Sequence, residues 1–206
     1  MVDLPQRSAL NFFPDQINYP ELKRASEGCR GCDLYKFATQ TVFGEGPPGA
    51  DLLFVGEQPG DEEDIEGSPF VGPAGRLFNK ALADASIDRD RAYVTNVVKH
   101  FKWIPKGKRR LHQKPRASEV EACLPWFAAE LEIIKPRILV CLGATAAQAL
   151  LGRDFRVTQA RGIWLDSPMA EKLLATVHPS SILRSRDRET MYAEFVADLR
   201  VVAKEL

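Results

Sequence analysis

Net charge is the first thing this chain lacks: 28 Lys and Arg balance 28 Asp and Glu over 206 residues. Any affinity for nucleic acid must therefore come from a local patch rather than from the whole. The chain shows no N-terminal apolar segment with a cleavage pattern and no apolar run near the roughly 20 residues of a membrane span. A soluble, cytoplasmic protein that does not engage a membrane is the expectation, and a reducing compartment argues against disulfides among its four cysteines. There is no internal repeat and no low-complexity block, so one domain with one sizeable core is expected. No Gly-x-Gly-x-x-Gly follows the first strand-like run, which ranks a Rossmann-type nucleotide enzyme last.

What is present begins with Asp51-Leu52-Leu53-Phe54-Val55, an apolar run that stops at Gly56-Glu57-Gln58-Pro59-Gly60. That pattern describes a buried strand delivering polar groups into a tight turn. Similar runs at 92–99, 137–143 and 173–177 alternate with helical patterns, which predicts an α/β fold with a mostly parallel sheet covered on both faces. In open sheets of this kind ligands bind outside the carboxyl ends of the strands. Glu57 and Gln58 emerge there, and His178-Pro179-Ser180-Ser181-Ile182-Leu183-Arg184 follows the last strand.

Two residues are out of place for purely structural roles. Asn96 lies inside a strand-like run, where a buried amide must find partners. Its donor and acceptor, side by side, match the O4 and N3–H edge of uracil, whereas cytosine presents the opposite polarity; an Asn tied to the main chain is the alternative. Phe70 lies in a Gly- and Pro-rich loop rather than on an amphipathic face, which suits stacking on a flat ligand or folding back onto the core.

From residue 99 to 116 the chain carries eight Lys and Arg, no acid, and interleaved Phe101, Trp103, His100 and His112. With Pro105, Gly107 and Pro115 opposing a long helix, this predicts a mobile basic loop that meets phosphates. Residues 1–20 hold three prolines and no period, so an irregular surface arm with no assigned function is expected. A helix over 118–135 is predicted with Ser118 as N-cap and Glu121 as its capping-box partner. Cys29 and Cys32 form a Cys-x-x-Cys pair outside the sheet, a context that favours a metal or cluster over a thioredoxin-like site. Cys141 lies within an apolar strand and reads as a small hydrophobe rather than a ligand.

Gly56-Glu57-Gln58-Pro59-Gly60, the Pro69-Phe70-Val71-Gly72 loop, Asn96 and His178-Pro179-Ser180 together resemble the uracil-DNA glycosylase superfamily, above all its iron-sulfur branch, family 4. The resemblance runs from about residue 29 to 184. It departs in two places, since His100 stands where family 4 has a cysteine and Lys108-Arg109-Arg110-Leu111-His112 is an insertion. Both features resemble the UdgX-like group, whose members become covalently attached to uracil-containing DNA through a histidine in that loop. The resemblance implies a single-domain three-layer α/β/α sandwich with a four-stranded parallel sheet over residues 21–206, interrupted by a basic loop insertion at about 101–116. It also implies a monomer that takes uracil from single-stranded DNA or flips it from duplex.

In residue terms, the resemblance makes Glu57, His112 and His178 catalytic, and places Gly56, Gln58, Phe70 and Asn96 around uracil. Lys108, Arg109, Arg110, Ser180 and Arg184 would meet DNA, and Cys29, Cys32, His100 and Cys123 would hold a [4Fe-4S] cluster. Three Cys and one His equally describe a structural zinc site. The alternatives are a conventional family 4 enzyme that turns over and a noncatalytic DNA-binding module with a structural metal.

Overall fold

The computed structural model describes residues 7–206. Its central sheet has five strands in the order β2 (Ala92–Asn96), β1 (Leu52–Gly56), β5 (Ile138–Leu142), β7 (Lys172–Thr176) and β6 (Trp164–Leu165). The strands β1, β2, β5 and β7 are the parallel set, and each is the apolar run that the sequence shows. Buried on both faces, such strands need no alternation of polar residues. The parallel register sets Gly56 beside Asn96, so the turn after β1 and the end of β2 open at the same level. A fifth strand, β6 (Trp164–Leu165), adds antiparallel to β7 and was not anticipated; two residues carry too little pattern to be read.

Helices α1 (Tyr19–Glu27), α2 (Asp61–Glu66), α3 (Pro73–Asp84), α4 (Ala117–Ile134), α5 (Ala144–Leu151), α6 (Val157–Ala160), α7 (Pro179–Arg184) and α8 (Arg188–Ala203) complete the described chain. They cover the sheet on both faces, giving two apolar layers. One gathers Phe54, Phe78, Leu82 and Phe195, and the other gathers Leu53, Val55, Trp126 and Phe127. No described helix is long and apolar enough to cross a membrane.

Three local expectations are corrected. Helix α4 starts earlier than Ser118: Arg116 is the N-cap, and the Glu119 carboxylate accepts its N–H at 2.6 Å. The amide left free at the first turn is satisfied by the acid three residues on, so Glu119 rather than Glu121 closes the box. Residues 7–20 do not lie wholly on the surface. Ala9 in the 3-10 turn Ala9–Phe12 is fully buried and Phe13 stacks on Trp126 with ring centres 4.6 Å apart; residues 1–6 lie outside the described part. The basic stretch is not an irregular loop. It forms a hairpin, β3 (Trp103–Lys106) against β4 (Arg109–His112), turning at Gly107 with φ of 60°.

Candidate active site

At the carboxyl ends of the parallel strands lies a cleft of about 330 Å³, with Phe70, Asn96, His112, His178 and Arg184 in its lining, a volume suited to one small ligand. Gly56 allows its inner walls to meet. A Cβ there would fall 2.4 Å from Asn96 Oδ1 and 2.9 Å from Phe70 Cζ. Phe70 itself has a φ of 59°, a left-handed conformation that bulky residues avoid. Gly75 accommodates it from below, where a Cβ would stand 1.8 Å from the Phe70 carbonyl oxygen. Asn96 is buried, yet its amide makes no hydrogen bond with another described residue, so its donor and acceptor are left for a ligand.

His178 caps α7. The main-chain N–H of Ser180 donates to its Nδ1 at 3.1 Å, and the Ser180 hydroxyl stands 2.8 Å from the same nitrogen. An Nδ1 that accepts leaves the proton of the neutral ring on Nε2. Burial pushes His178 down to about 4, with the nearby Glu57 charge opposing that shift, so the ring is neutral at physiological pH. Ser180, expected at DNA, thus uses both its polar groups to set the His178 tautomer. Arg184 is exposed on the cleft rim.

Glu57 stands between two hydroxyl- and nitrogen-bearing neighbours. Thr145, at the start of α5, donates to its Oε2, and His112 Nε2 lies 3.4 Å from its Oε1. Burial works to raise the Glu57 carboxyl, but hydrogen bonds from His112 and Thr145 outweigh it and hold the group below its ordinary value. It is therefore a carboxylate. The sequence reading missed Thr145; its signal was a lone hydroxyl in the first turn of an otherwise alanine-rich helix.

His112 reaches Glu57 because the hairpin is fastened in two places. Gln58 donates to the carbonyls of Lys102 and Gln113 and accepts from the Lys102 N–H, tying both legs to the turn after β1. Both Nε2 protons are engaged there, which leaves one lone pair of Oε1 toward the cleft that Gln58 lines. Arg110 lies over the rings of Phe101 and Trp103 and pairs with Asp61 and Asp64 of α2, both at 2.5 Å. Asp64 is fully buried, so the pair is a clasp and Arg110 is not a free DNA contact. Lys108 and Arg109 at the turn are exposed, with no ion pair among the described residues.

Cys29, Cys32 and Cys123, the last on α4 itself, are buried in one apolar layer, close enough for the first two to bear on the charge of Cys123. Each sulfur meets an N–H: Trp126 Nε1 donates to Cys29 Sγ at 3.3 Å, Lys99 N to Cys123 Sγ at 3.2 Å, and a main-chain amide at Leu34 serves Cys32. Burial pushes Cys123 up to about 12 and raises Cys32, so metal binding there must displace protons. His100 Nδ1 is buried without a hydrogen-bond partner among the described residues, and burial lowers His100 to about 4. A neutral imidazole with an orphaned nitrogen is a ligand in waiting. Among the described residues no three Cys, His, Asp or Glu come together as a group that could hold a metal ion. Three thiols and an orphaned imidazole nitrogen are donor types that an iron-sulfur cluster takes. Cys141, inside β5 and fully buried, is remote from this set in role, as its strand position implies.

The cleft thus joins an aromatic wall at Phe70 to an Asn96 amide without a described partner, beside His112, which faces the Glu57 carboxylate. The chain belongs to the uracil DNA glycosylase superfamily, whose match covers residues 43–200. It is 40% identical over 162 residues to a type-4 uracil-DNA glycosylase of Thermotoga maritima, spanning 78% of this chain and 81% of that one. A type-4 uracil-DNA glycosylase of Archaeoglobus fulgidus is 36% identical over 183 residues, 85% of this chain and 88% of its own. A third, from Pyrobaculum aerophilum, is 34% identical, covering 89% and 92%.

Proposed function

We propose that this chain is a UdgX-like uracil-DNA glycosylase, excising uracil and then capturing the abasic sugar through His112. The observation that carries the reading is the approach of His112 Nε2 to Glu57 Oε1, 3.4 Å apart at the cleft mouth. Uracil enters from single strand or flipped from duplex, stacks on Phe70 and meets the Asn96 amide with O4 and N3–H. The C1′–N1 bond breaks and its electron pair leaves on uracil N1. His178 keeps its proton and donates from Nε2 to O2, where the negative charge spreads. The Glu57 carboxylate opposes the positive charge on the sugar, as carboxylates do in glycoside cleavage.

His112 then competes with water for C1′. A nitrogen already held at the mouth has a large proximity advantage. As Nε2 bonds to C1′, its proton passes to Glu57, and the carbon–nitrogen bond has no base-catalysed exit. Lys108, Arg109 and Arg184 supply phosphate contacts around the opening. Cys29, Cys32, Cys123 and His100 would hold a [4Fe-4S] cluster, which fixes the flanking segments and supplies no redox step. Purified protein should carry iron and sulfide with visible absorption; a colourless protein with stoichiometric zinc would overturn the cluster assignment.

The second reading is a conventional enzyme with turnover, favoured by the type-4 name of the relatives, in which Glu57 holds a water and His112 only shapes the mouth. One preparation separates them. In His112→Ser the covalent complex should vanish on denaturing electrophoresis of uracil-DNA reactions, while free uracil appears or rises. An adduct that persists means that another residue is the nucleophile, and wild-type protein that releases uracil without any adduct establishes turnover.

A further inference from the structure

Beneath the cleft lies an ion pair that the mechanism above does not use. Lys99 and Glu130 have no exposed side-chain surface, and Nζ meets Oε2 at 2.5 Å. Such a pair is poor evidence of stabilisation, because apolar residues of similar volume often serve as well. Its contacts suggest a different reason. Lys99 Nζ also donates to Thr95 Oγ1 at 2.6 Å and to the Asn96 carbonyl at 2.8 Å. Glu130 accepts from the Gly44 N–H at 2.8 Å, the Tyr93 hydroxyl at 3.0 Å and the Thr95 hydroxyl at 2.8 Å.

The geometry of the sheet explains why Asn96 needs this support. β2 is an edge strand, and on its open side Val94 pairs with Glu45. Asn96, two residues on, turns its carbonyl to that same side, where no strand follows. Lys99 Nζ takes the place of the missing ladder donor. The main-chain N–H of the same lysine donates to Cys123 Sγ, so one residue holds the strand end by its side chain and the cysteine cradle by its backbone.

We propose that Lys99, with Glu130 as its counter-ion, is a positioning residue for base recognition: by fixing the Asn96 carbonyl it sets the plane and reach of the Asn96 amide. This rests on Asn96 reading the uracil edge. The pair acts through Asn96 and touches neither base nor sugar.

The test uses the full chain as Lys99→Met/Glu130→Gln, which leaves no buried charge without its partner, beside Asn96→Ala. The probes are an oligonucleotide with one uracil and the same strand with thymine. The double variant should react with uracil-DNA about 10- to 100-fold more slowly, the range lost when a supporting partner is removed. Its melting profile, visible cluster absorption and affinity for the thymine strand should stay as in wild type. Wild-type reaction in the double variant, with Asn96→Ala slow, overturns the positioning role alone. Wild-type reaction in Asn96→Ala overturns the reading of Asn96 and this proposal with it. Loss of cluster absorption together with the rate assigns the pair to the cysteine cradle and also overturns the proposal. Should the double variant not fold, Lys99→Leu/Glu130→Met, which likewise leaves neither charge buried alone, decides by the same rate: a slower reaction with an unchanged melting profile supports the proposal and an unchanged rate overturns it.

Discussion

The chain has three histidines, and each has one ring nitrogen in a different setting: orphaned in His100, facing a carboxylate in His112, accepting a main-chain amide in His178. Side chains that do not suit their surroundings were the ones readable in advance. Asn96 in a strand and Phe70 in a stiff loop stood out against the pattern around them. Gln58 and Thr145 did not, because their roles depend on the Lys102 and Gln113 carbonyls and on Glu57, contacts made only when distant segments meet. Asn96→Asp should test the amide most directly. An acceptor would then face uracil O4, so single-turnover reaction with uracil-DNA should slow at least about tenfold, the lower end of the cost of one wrong base contact. Rates on uracil- and cytosine-containing strands measure it, and unchanged selectivity would refute the assignment.

Among the elements, the parallel strands were legible because burial on both faces writes itself as a continuous apolar run. The hairpin was not. Its alternation of Ile104 and Lys106 against Arg109 and Leu111 is masked by cations on both legs, and Pro105 weakens the strand reading. Gly107-Lys108 between those legs was the signal, since a glycine at the first central position suits a two-residue hairpin turn. Once formed, the hairpin is held against α2 by Arg110. Replacing Arg110 by Lys keeps the charge but loses the planar fork that spans Asp61 and Asp64. The expected result is about tenfold less adduct relative to free uracil, with the mouth loosened and water admitted. Quantifying both products of one reaction measures that ratio, and an unchanged ratio means that the clasp does not place His112.

On the scale of the whole molecule, acid should weaken the fold through His178. Its folded value of about 4 lies below the 6.5 of the free side chain, so the unfolded chain binds the extra proton first and stability falls as pH drops from 6.5 toward 4. The loss is at most about 3.4 kcal/mol. Thermal melts across that window should show the slope, and His178→Gln should flatten part of it. The N-terminal stretch carries a further consequence. Ser8 and Ala9 press on Gly31, and Phe13 covers the ring of Trp126 whose nitrogen holds Cys29 Sγ. Residues without any periodic pattern therefore brace the ring that donates to Cys29 Sγ, so Phe13→Ala should loosen the cysteine layer, read as a lower melting temperature.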